Sequence, residues 1–538
     1  MIMRRLTHYI LLAVLATTVF SCREKSDEIL SYGRDDYQAF EPARHSYAEQ
    51  FKAFWTAMNE NYCIWDFEEE FGLDWDEVYE TYLPQFEALD DTTRQPPTDD
   101  EFLSMYSQFL DSLHDGHMTF EIMNLSSGNY VNIYPNLSRN QRERPQVFQD
   151  EQENLTSLGK YRTDQVDANY RINEYDEAGS AIVVYEMLDS VLHCILDASA
   201  AYIQAVDDAG GPNELNDTIY KAVQLLQFNA NSILSSMQLP DYALYGSVSG
   251  FVSAYNTVCS QFHVVGRQIG VVMNPIDEEF DDTSLSFIRY ALFEGNIAYI
   301  RLSMFYLSDC LDQSNLSSDT TSLYYVFQKS VYRVWSHWFS KIQELHASGQ
   351  LGGVVIDVRN NGGGLVDDYK YILGALLPSG GFHSHTLRVK NGSGRLDFAP
   401  LTPFMMNTYP GEHAAISEEP IVVLANSNSI SLAENTTWGV LSQPNGYFVG
   451  TRTFGALSAL SPDPDVYSET YSGAFGEQGK TPFYGHLPKY VCLYGEDLHS
   501  VEGHGFDPDL DIRLDVQLWT SEQRDNQLEA ALDYIHGK

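Results

Sequence analysis

Basic side chains are scarce in this chain. Its 538 residues carry 32 Lys and Arg against 75 Asp and Glu, a formal charge of −43. So acidic a surface repels a phosphate backbone, which makes nucleic acid a poor partner and leaves solubility as the main meaning of the charge. Cysteine is sparse as well. Setting aside Cys22, the remaining Cys63, Cys194, Cys259, Cys310 and Cys492 are scattered and form no CxxC pair. This spacing indicates neither a zinc cage nor a disulfide framework, so no metal and no other cofactor is expected. Long apolar runs are lacking too. The run from Tyr9 to Phe20 follows Met3-Arg4-Arg5 and is short for a bilayer span. No internal repeat is visible.

What is present begins with that short run. Val19-Phe20-Ser21-Cys22 resembles a bacterial lipobox, which implies a signal peptide over residues 1–22 and a lipidated Cys22. By that resemblance the membrane is a partner through the N-terminal lipid. The protein is then expected in the cell envelope, periplasmic or on the outer-membrane surface. Residues 23–46 read as a tether. Over 47–122 the apolar positions Phe51, Phe54, Trp55 and Met58, then Val78, Tyr79 and Tyr82 up to Pro84, keep helical faces. A third helix opens on Thr98 with Glu101 three residues on, the pattern of a capping box, and is expected to end near Gly116. These helices suggest an N-terminal cap domain. Residues 123–284 form a helix-rich insertion. Within it, Asn140 to Pro145 reads as a loop, and two amphipathic runs stopped by Gly210-Gly211-Pro212 and by Pro240 predict an αα-hairpin.

From about residue 285 the texture is α/β. Asn296 to Leu302 and Gly353 to Val358 read as strands, and Leu323 to Leu345 as a long helix closed by Gly349. The most informative stretch is Ile421 to Ala456. An apolar run at Ile421–Leu424 meets the polar turn Asn426–Ser429, and a helical pattern opens at Ser431 and ends before Pro444. A serine at such a strand-to-helix turn lies beside unpaired backbone N–H groups, where α/β enzymes place nucleophiles; it also sits where an ordinary helix cap would sit.

Four segments in order then carry a resemblance. They are Val355-Ile356-Asp357-Val358-Arg359-Asn360-Asn361-Gly362-Gly363-Gly364, Ser429-Ile430-Ser431-Leu432-Ala433-Glu434, Gly450-Thr451-Arg452-Thr453-Phe454-Gly455, and Glu502-Gly503-His504-Gly505-Phe506-Asp507-Pro508-Asp509. Together they resemble the motifs of the S41 serine peptidases, the family of the C-terminal processing proteases and the tricorn core-like enzymes. The likeness implies an α/β catalytic core of the S41 (ClpP/crotonase-like) type over 285–538, behind the helical cap and the insertion. In 123–284 no PDZ-like segment is found.

Carried over by position, Ser431 is the nucleophile and Glu434 supports its loop. The processing proteases place a lysine base directly after Thr-Phe-Gly, but here that position is Ala456, with Leu460 where their glutamine stands. A serine without a base is a feeble nucleophile at neutral pH. The tricorn-like branch uses a histidine and a distant glutamate instead. The resemblance then implies His117, from Asp115-Gly116-His117, as base and Glu502 as its orienter, with His114 as the competing histidine. Asp115 is expected in support. The N–H of Leu432, with that of Gly363 or Gly364, would form the oxyanion hole. The expected partner is a peptide or protein substrate, hydrolysed without a metal. The alternative expectation, motivated by Ala456, is a catalytically inactive peptide-binding or scaffolding lipoprotein of the same fold.

Overall fold

The structure, a computed structural model, describes residues 45–155, 166–167, 169–178, 181–213, 216–237, 258, 260–262, 264–265, 288–318, 323–392, 394–458, 474–476, 482–488 and 490–537. Cys22 and the lipobox around it, most of the tether, Cys259 and Leu460 lie outside these residues. The chain groups into two compact units.

One unit comprises Arg144–Ser384, Met405–Phe454 and Phe506–Lys538. Its centre is a seven-stranded sheet in the order Leu510–Asp511, Gly446–Gly450, Ile421–Ala425, Gly353–Asp357, Ile297–Leu302, Ile288–Phe293, Ile172–Ala178. The first five strands run parallel and the last two are antiparallel additions. Every residue of Gly353–Asp357 and of Ile421–Ala425 is buried. Strands covered on both faces need apolar side chains at successive positions, which is why both read as unbroken Val, Ile and Leu runs. The helix Asn526–His536 packs Leu528, Ala531, Leu532 and Ile535 in one cluster with Tyr299, Val355, Val422 and Leu424. Truncating one such leucine to alanine costs about 2–5 kcal/mol. The two predicted helices of the insertion are present as Ala181–Asp208 and Asp217–Met237, packed together. The amides of Gly210 and Gly211 close the first by donating to the carbonyls of Asp207 and Val206.

The other unit comprises Met1–Glu143, His385–Phe404 and Gly455–Gly505. Its described helices are Tyr47–Asn61, Trp65–Glu70, Trp75–Leu89, Asp99–Leu110 and Pro135–Glu143. Ser46 with Glu49 and Thr98 with Glu101 form capping boxes, and Asp74 caps the third helix. Phe51, Phe54, Trp75, Phe86, Tyr106 and Phe109 interlock as a buried aromatic core, Phe51 stacking on Phe86 at 4.5 Å between centroids. Beside it lies a four-stranded antiparallel sheet ordered Ala474–Gly476, Phe483–His486, Thr119–Met123, Tyr130–Ile133.

Three local expectations give way. The helix from Trp75 passes through Pro84 and ends at Leu89. Its missing N–H removes one helical bond without ending the helix, because Phe86 beyond it is fully buried in the aromatic core. The helix that opens after Thr98 ends at Leu110, not near Gly116. Residues 140–145, read as a loop, instead join two helices, Pro135–Glu143 and Pro145–Leu155, each with proline at its first position, where no helical N–H is required.

Candidate active site

The nucleophile candidate sits on the turn between the strand Ile421–Ala425 and the helix Leu432–Leu441. Side chains of its own motif and of the glycine motif fix this turn. Asn426 accepts the Asn360 N–H on Oδ1 at 3.0 Å and returns an Nδ2 bond to the Asn360 side chain at 2.8 Å. The Ser429 hydroxyl donates to the Val358 carbonyl at 2.8 Å. The Ile430 amide donates to the Asn361 carbonyl and the Phe454 amide to the Ser429 carbonyl. Held this way, Ser431 has φ 58° and ψ −116°. A residue with a Cβ rarely enters this region, at a cost of about 1–3 kcal/mol, and the same strain recurs where a sharp strand-to-helix turn presents a nucleophile. Glu434 accepts the Ser431 N–H on one oxygen at 3.2 Å and the Thr453 hydroxyl on the other at 2.6 Å. It therefore ties the helix start to the Thr-Phe motif. Thr453 also binds Phe506 through its backbone and hydroxyl.

The triple-glycine loop lies directly against the serine. A Cβ on Gly363 would come within 2.7 Å of the Ser431 Cβ, and one on Gly364 within 2.0 Å of the Phe305 carbonyl oxygen. Both glycines also have positive φ, 92° and 142°. Only glycine meets both demands. The expected oxyanion pair narrows here. The Gly363 N–H donates to Asn361 Oδ1 at 2.8 Å, so that amide is already engaged and is withdrawn as an oxyanion donor. The N–H groups of Leu432 and Gly364 have no hydrogen-bond partner among the described residues.

His117, Asp115 and Glu502 come together in the other unit. Asp115 accepts the amides of His117 and Met118 on one oxygen, both at 2.9 Å, and its second oxygen is buried with no hydrogen bond. Glu502 accepts the amide of Gly116 at 2.6 Å, a partner 386 residues away in sequence, and the amides of Leu457 and Ser458 at 2.9 and 2.6 Å. Its carboxylate thus grips the backbone just before the histidine and just after Ala456. No hydrogen bond joins it to the His117 imidazole among the described residues, so the orienting contact expected of Glu502 runs through the backbone. Burial pushes both carboxyls up, and the nearby Glu502 charge raises Asp115 further; the three amides act in the opposite direction on Glu502. Burial lowers the His117 imidazole to about 4, opposed by the Ser458 backbone. Its Nδ1 is buried with no hydrogen-bond partner among the described residues. At neutral pH the ring is uncharged and able to take a proton. The competing His114 is committed elsewhere, with Nδ1 2.7 Å from the Glu68 carboxylate and the ring stacked on Phe71 at 3.9 Å.

Gly116 has a role that its reading as a helix stop misses. A Cβ there would lie 2.2 Å from both the Cα and the Cβ of Ala456. The position that holds a lysine in the processing proteases is here a fully buried contact surface for the Asp-Gly-His loop. Sequence reasoning also passed over Asn361 and Thr453, which lie inside quoted motifs, and Arg144 and Glu151, which lie in none. The polar stretch that carries the last two offers no signal beyond Pro145 as a helix start.

Residues 296–464 match the family model of peptidase family S41. The tricorn protease of Thermoplasma volcanium is 25% identical over 183 residues, which are 34% of this chain and 14% of that protein. The chain thus spans a small part of that relative's length. Among solved structures, a protein named a peptidase, from Parabacteroides merdae ATCC 43184, is 15% identical with a TM-score of 0.45, covering 91% of this chain and 97% of that one. Mature CPAF complexed with lactacystin is 12% identical with a TM-score of 0.43, covering 92% and 99%. Three of the four ordered motifs lie within residues 296–464, and the family they resemble is the one whose model matches there, peptidase family S41.

Proposed function

We propose that the protein is an exported, lipid-anchored serine peptidase that cleaves peptide bonds with Ser431 as nucleophile and His117 as general base. The observation that carries the reading is the positive-φ Ser431 at a strand-to-helix turn, packed on Gly363 and followed by the unpaired Leu432 N–H. In the proposed reaction the Ser431 Oγ attacks the peptide carbonyl carbon while His117 takes the hydroxyl proton. The oxyanion forms against the N–H groups of Leu432 and Gly364. Collapse breaks the C–N bond, and the imidazolium returns the proton to the leaving amine. Water, deprotonated by His117, then releases the acyl group from Ser431 as a carboxylic acid. Glu502 and Asp115 act as positioning residues, fixing the backbone that seats His117. Peptides or proteins are the substrate class, and the cell envelope is the proposed location, with Cys22 as the lipid attachment point.

Replacing Ser431 with Ala in the purified protein and assaying a peptide library tests this reading. Loss of hydrolysis is expected; hydrolysis that survives the change overturns the mechanism. Cys22→Ala should release the protein from membranes, and continued integral association would instead mark an uncleaved anchor. Ala456 favours one second reading, a peptide-binding lipoprotein that has lost the chemistry. A wild-type protein that binds peptides without cleaving them would establish it.

A further inference from the structure

The helix Pro145–Leu155 lies outside the family match, yet it grips the turn that bears Ser431. Glu151, 1% exposed, is the centre of that grip. Its Oε2 accepts the Ser427 N–H at 3.0 Å and the Ser427 hydroxyl. The Thr451 hydroxyl donates to both carboxylate oxygens, at 2.8 and 3.0 Å. The Glu151 carbonyl takes the Asn360 side-chain N–H at 3.0 Å, which connects the same helix to the glycine motif. One residue before the helix, Arg144 caps three successive carbonyls, those of Arg452, Thr453 and Phe454, at 2.5, 2.6 and 3.3 Å. Two of the four motifs, and the polar turn just ahead of the serine motif, are thereby fastened to a single short segment. A carboxylate buried with hydroxyl and amide donors converging on it is costly to bury unless each donor is held in place. Ser427 and Thr451 have few alternative positions once Glu151 is there.

We propose that residues 144–155 are a brace on the catalytic turn and that Glu151 is a positioning residue for Ser431, acting through Ser427 and Thr451. The proposal rests on the reading of Ser431 as nucleophile. Its physical content is that the strained Ser431 geometry, and with it the direction of the Leu432 N–H, persists only while the start of the turn is fastened. Without the carboxylate, the Ser427 hydroxyl loses its acceptor, the Ser427 N–H keeps only the Thr451 hydroxyl oxygen at 3.1 Å, and the turn relaxes. A displacement near 1 Å at a reacting centre costs roughly 10²-fold in rate. Substrate binding, which does not run through Ser427, is left nearly intact.

The test uses the purified full chain, a fluorophosphonate probe to read the reactivity of the nucleophile, and peptide hydrolysis. Glu151→Ala is expected to lower both the labelling rate and kcat by roughly 10²-fold with KM within about twofold. Glu151→Gln keeps one oxygen acceptor and should recover part of the loss. Ser427→Ala, which removes only one buried hydroxyl from the turn, should give a smaller fall in kcat and decides the matter if Glu151→Ala does not fold. Wild-type labelling that vanishes in Ser431→Ala, with unchanged labelling and kcat in Glu151→Gln and Ser427→Ala, overturns the brace. A melting temperature that falls while kcat stays constant overturns it too, since that is a merely structural role. No labelling of the wild type, or labelling that survives Ser431→Ala, instead defeats the nucleophile reading on which the brace depends.

Discussion

Ser431 and His117 are seated by two different kinds of architecture. Around Ser431 the buried carboxylates Glu434 and Glu151 stand apart, each among hydroxyl and amide donors. Around His117 the carboxylates Asp115 and Glu502 stand close enough for one to raise the other, and they are held mostly by backbone amides. The first arrangement is fixed mostly by side-chain hydrogen bonding, with burial raising the Glu151 carboxyl against its hydroxyl and amide donors. The second stores like charge in a buried place, so it gains from a proton and is the half that acidity should tune. Three-dimensional precision is thus reached by hydrogen-bond networks around separate carboxylates in one half and by two neighbouring buried carboxyls in the other.

The largest effect tests whether the two halves serve one step. Ser431→Ala and His117→Ala should each lower kcat by at least about 10³-fold, and the double variant should fall no further, since residues that act as a unit are grossly non-additive. Steady-state hydrolysis by the three variants checks this. Losses that multiply in the double variant would separate the histidine from the serine's chemistry and break the pairing of the two halves.

A step smaller is Gly116→Ala. Its new methyl would meet the Ala456 Cα and Cβ at 2.2 Å, so either the loop bearing His117 or the backbone at Ala456 must move. We expect a fall in kcat of roughly 10²-fold and a stability loss of about 1–3 kcal/mol, the usual cost of overpacking. Chemical denaturation beside the activity assay reads both. An unchanged kcat would show that His117 does not depend on the Gly116 contact. Ala456→Lys is expected to be destabilising for the same reason and to supply no working base.

Much of the nucleophile half was legible in the sequence because its parts are local. The Ile421–Ala425 strand, the Ser431 turn and the glycines against it follow from period, turn chemistry and motif order, and the Thr98–Glu101 capping box from a four-residue spacing. The base half was legible only as candidates. Glu502 reaches Gly116 across 386 residues, and no spacing rule encodes so remote a pairing. Gly116 was misread because glycine after a helical pattern has two meanings, a stop or a close approach, and only the position of Ala456 decides between them. Gly363 was assigned an oxyanion role that Asn361 precludes, a competition that needs the loop's conformation to be seen. The helix Pro145–Leu155 was overlooked since its polar residues have no apolar period, although Pro145 at its first position was a usable signal.

The acid limb of catalysis comes next in size. The proposed base, His117, must be neutral to act, and burial holds its imidazole near 4, so kcat/KM should persist as pH falls from 7 to 5 and decline only as pH approaches about 4. An ordinary histidine, with a pKa near 6.5, would already have cost roughly 30-fold at pH 5. A pH profile on a substrate without titrating groups measures it. A break near 6.5 would mean a solvated base, or a different one, and would remove the contrast in burial between the two halves.

The smallest effect is carried by Asp115→Asn. The folded-state pKa values of Asp115 and Glu502 both lie above their usual range, so folding takes up protons as the pair titrates. Groups raised in this way contribute stability at low pH that is lost as pH rises through their folded pKa values. Removing one charge should therefore help most at neutral and alkaline pH and least under acid conditions. The asparagine Oδ1 can still accept the His117 and Met118 amides, and its Nδ2 replaces an oxygen that has no partner and can donate to a neighbouring acceptor. We expect Asp115→Asn to melt a few degrees higher than the wild type at pH 8, on the scale of about 1 kcal/mol, with the difference shrinking toward pH 4. A uniform destabilisation across that range would mean that the Asp115 charge is needed by the two amides it holds, and that the base half, like the nucleophile half, is built on hydrogen bonding rather than on shared buried charge.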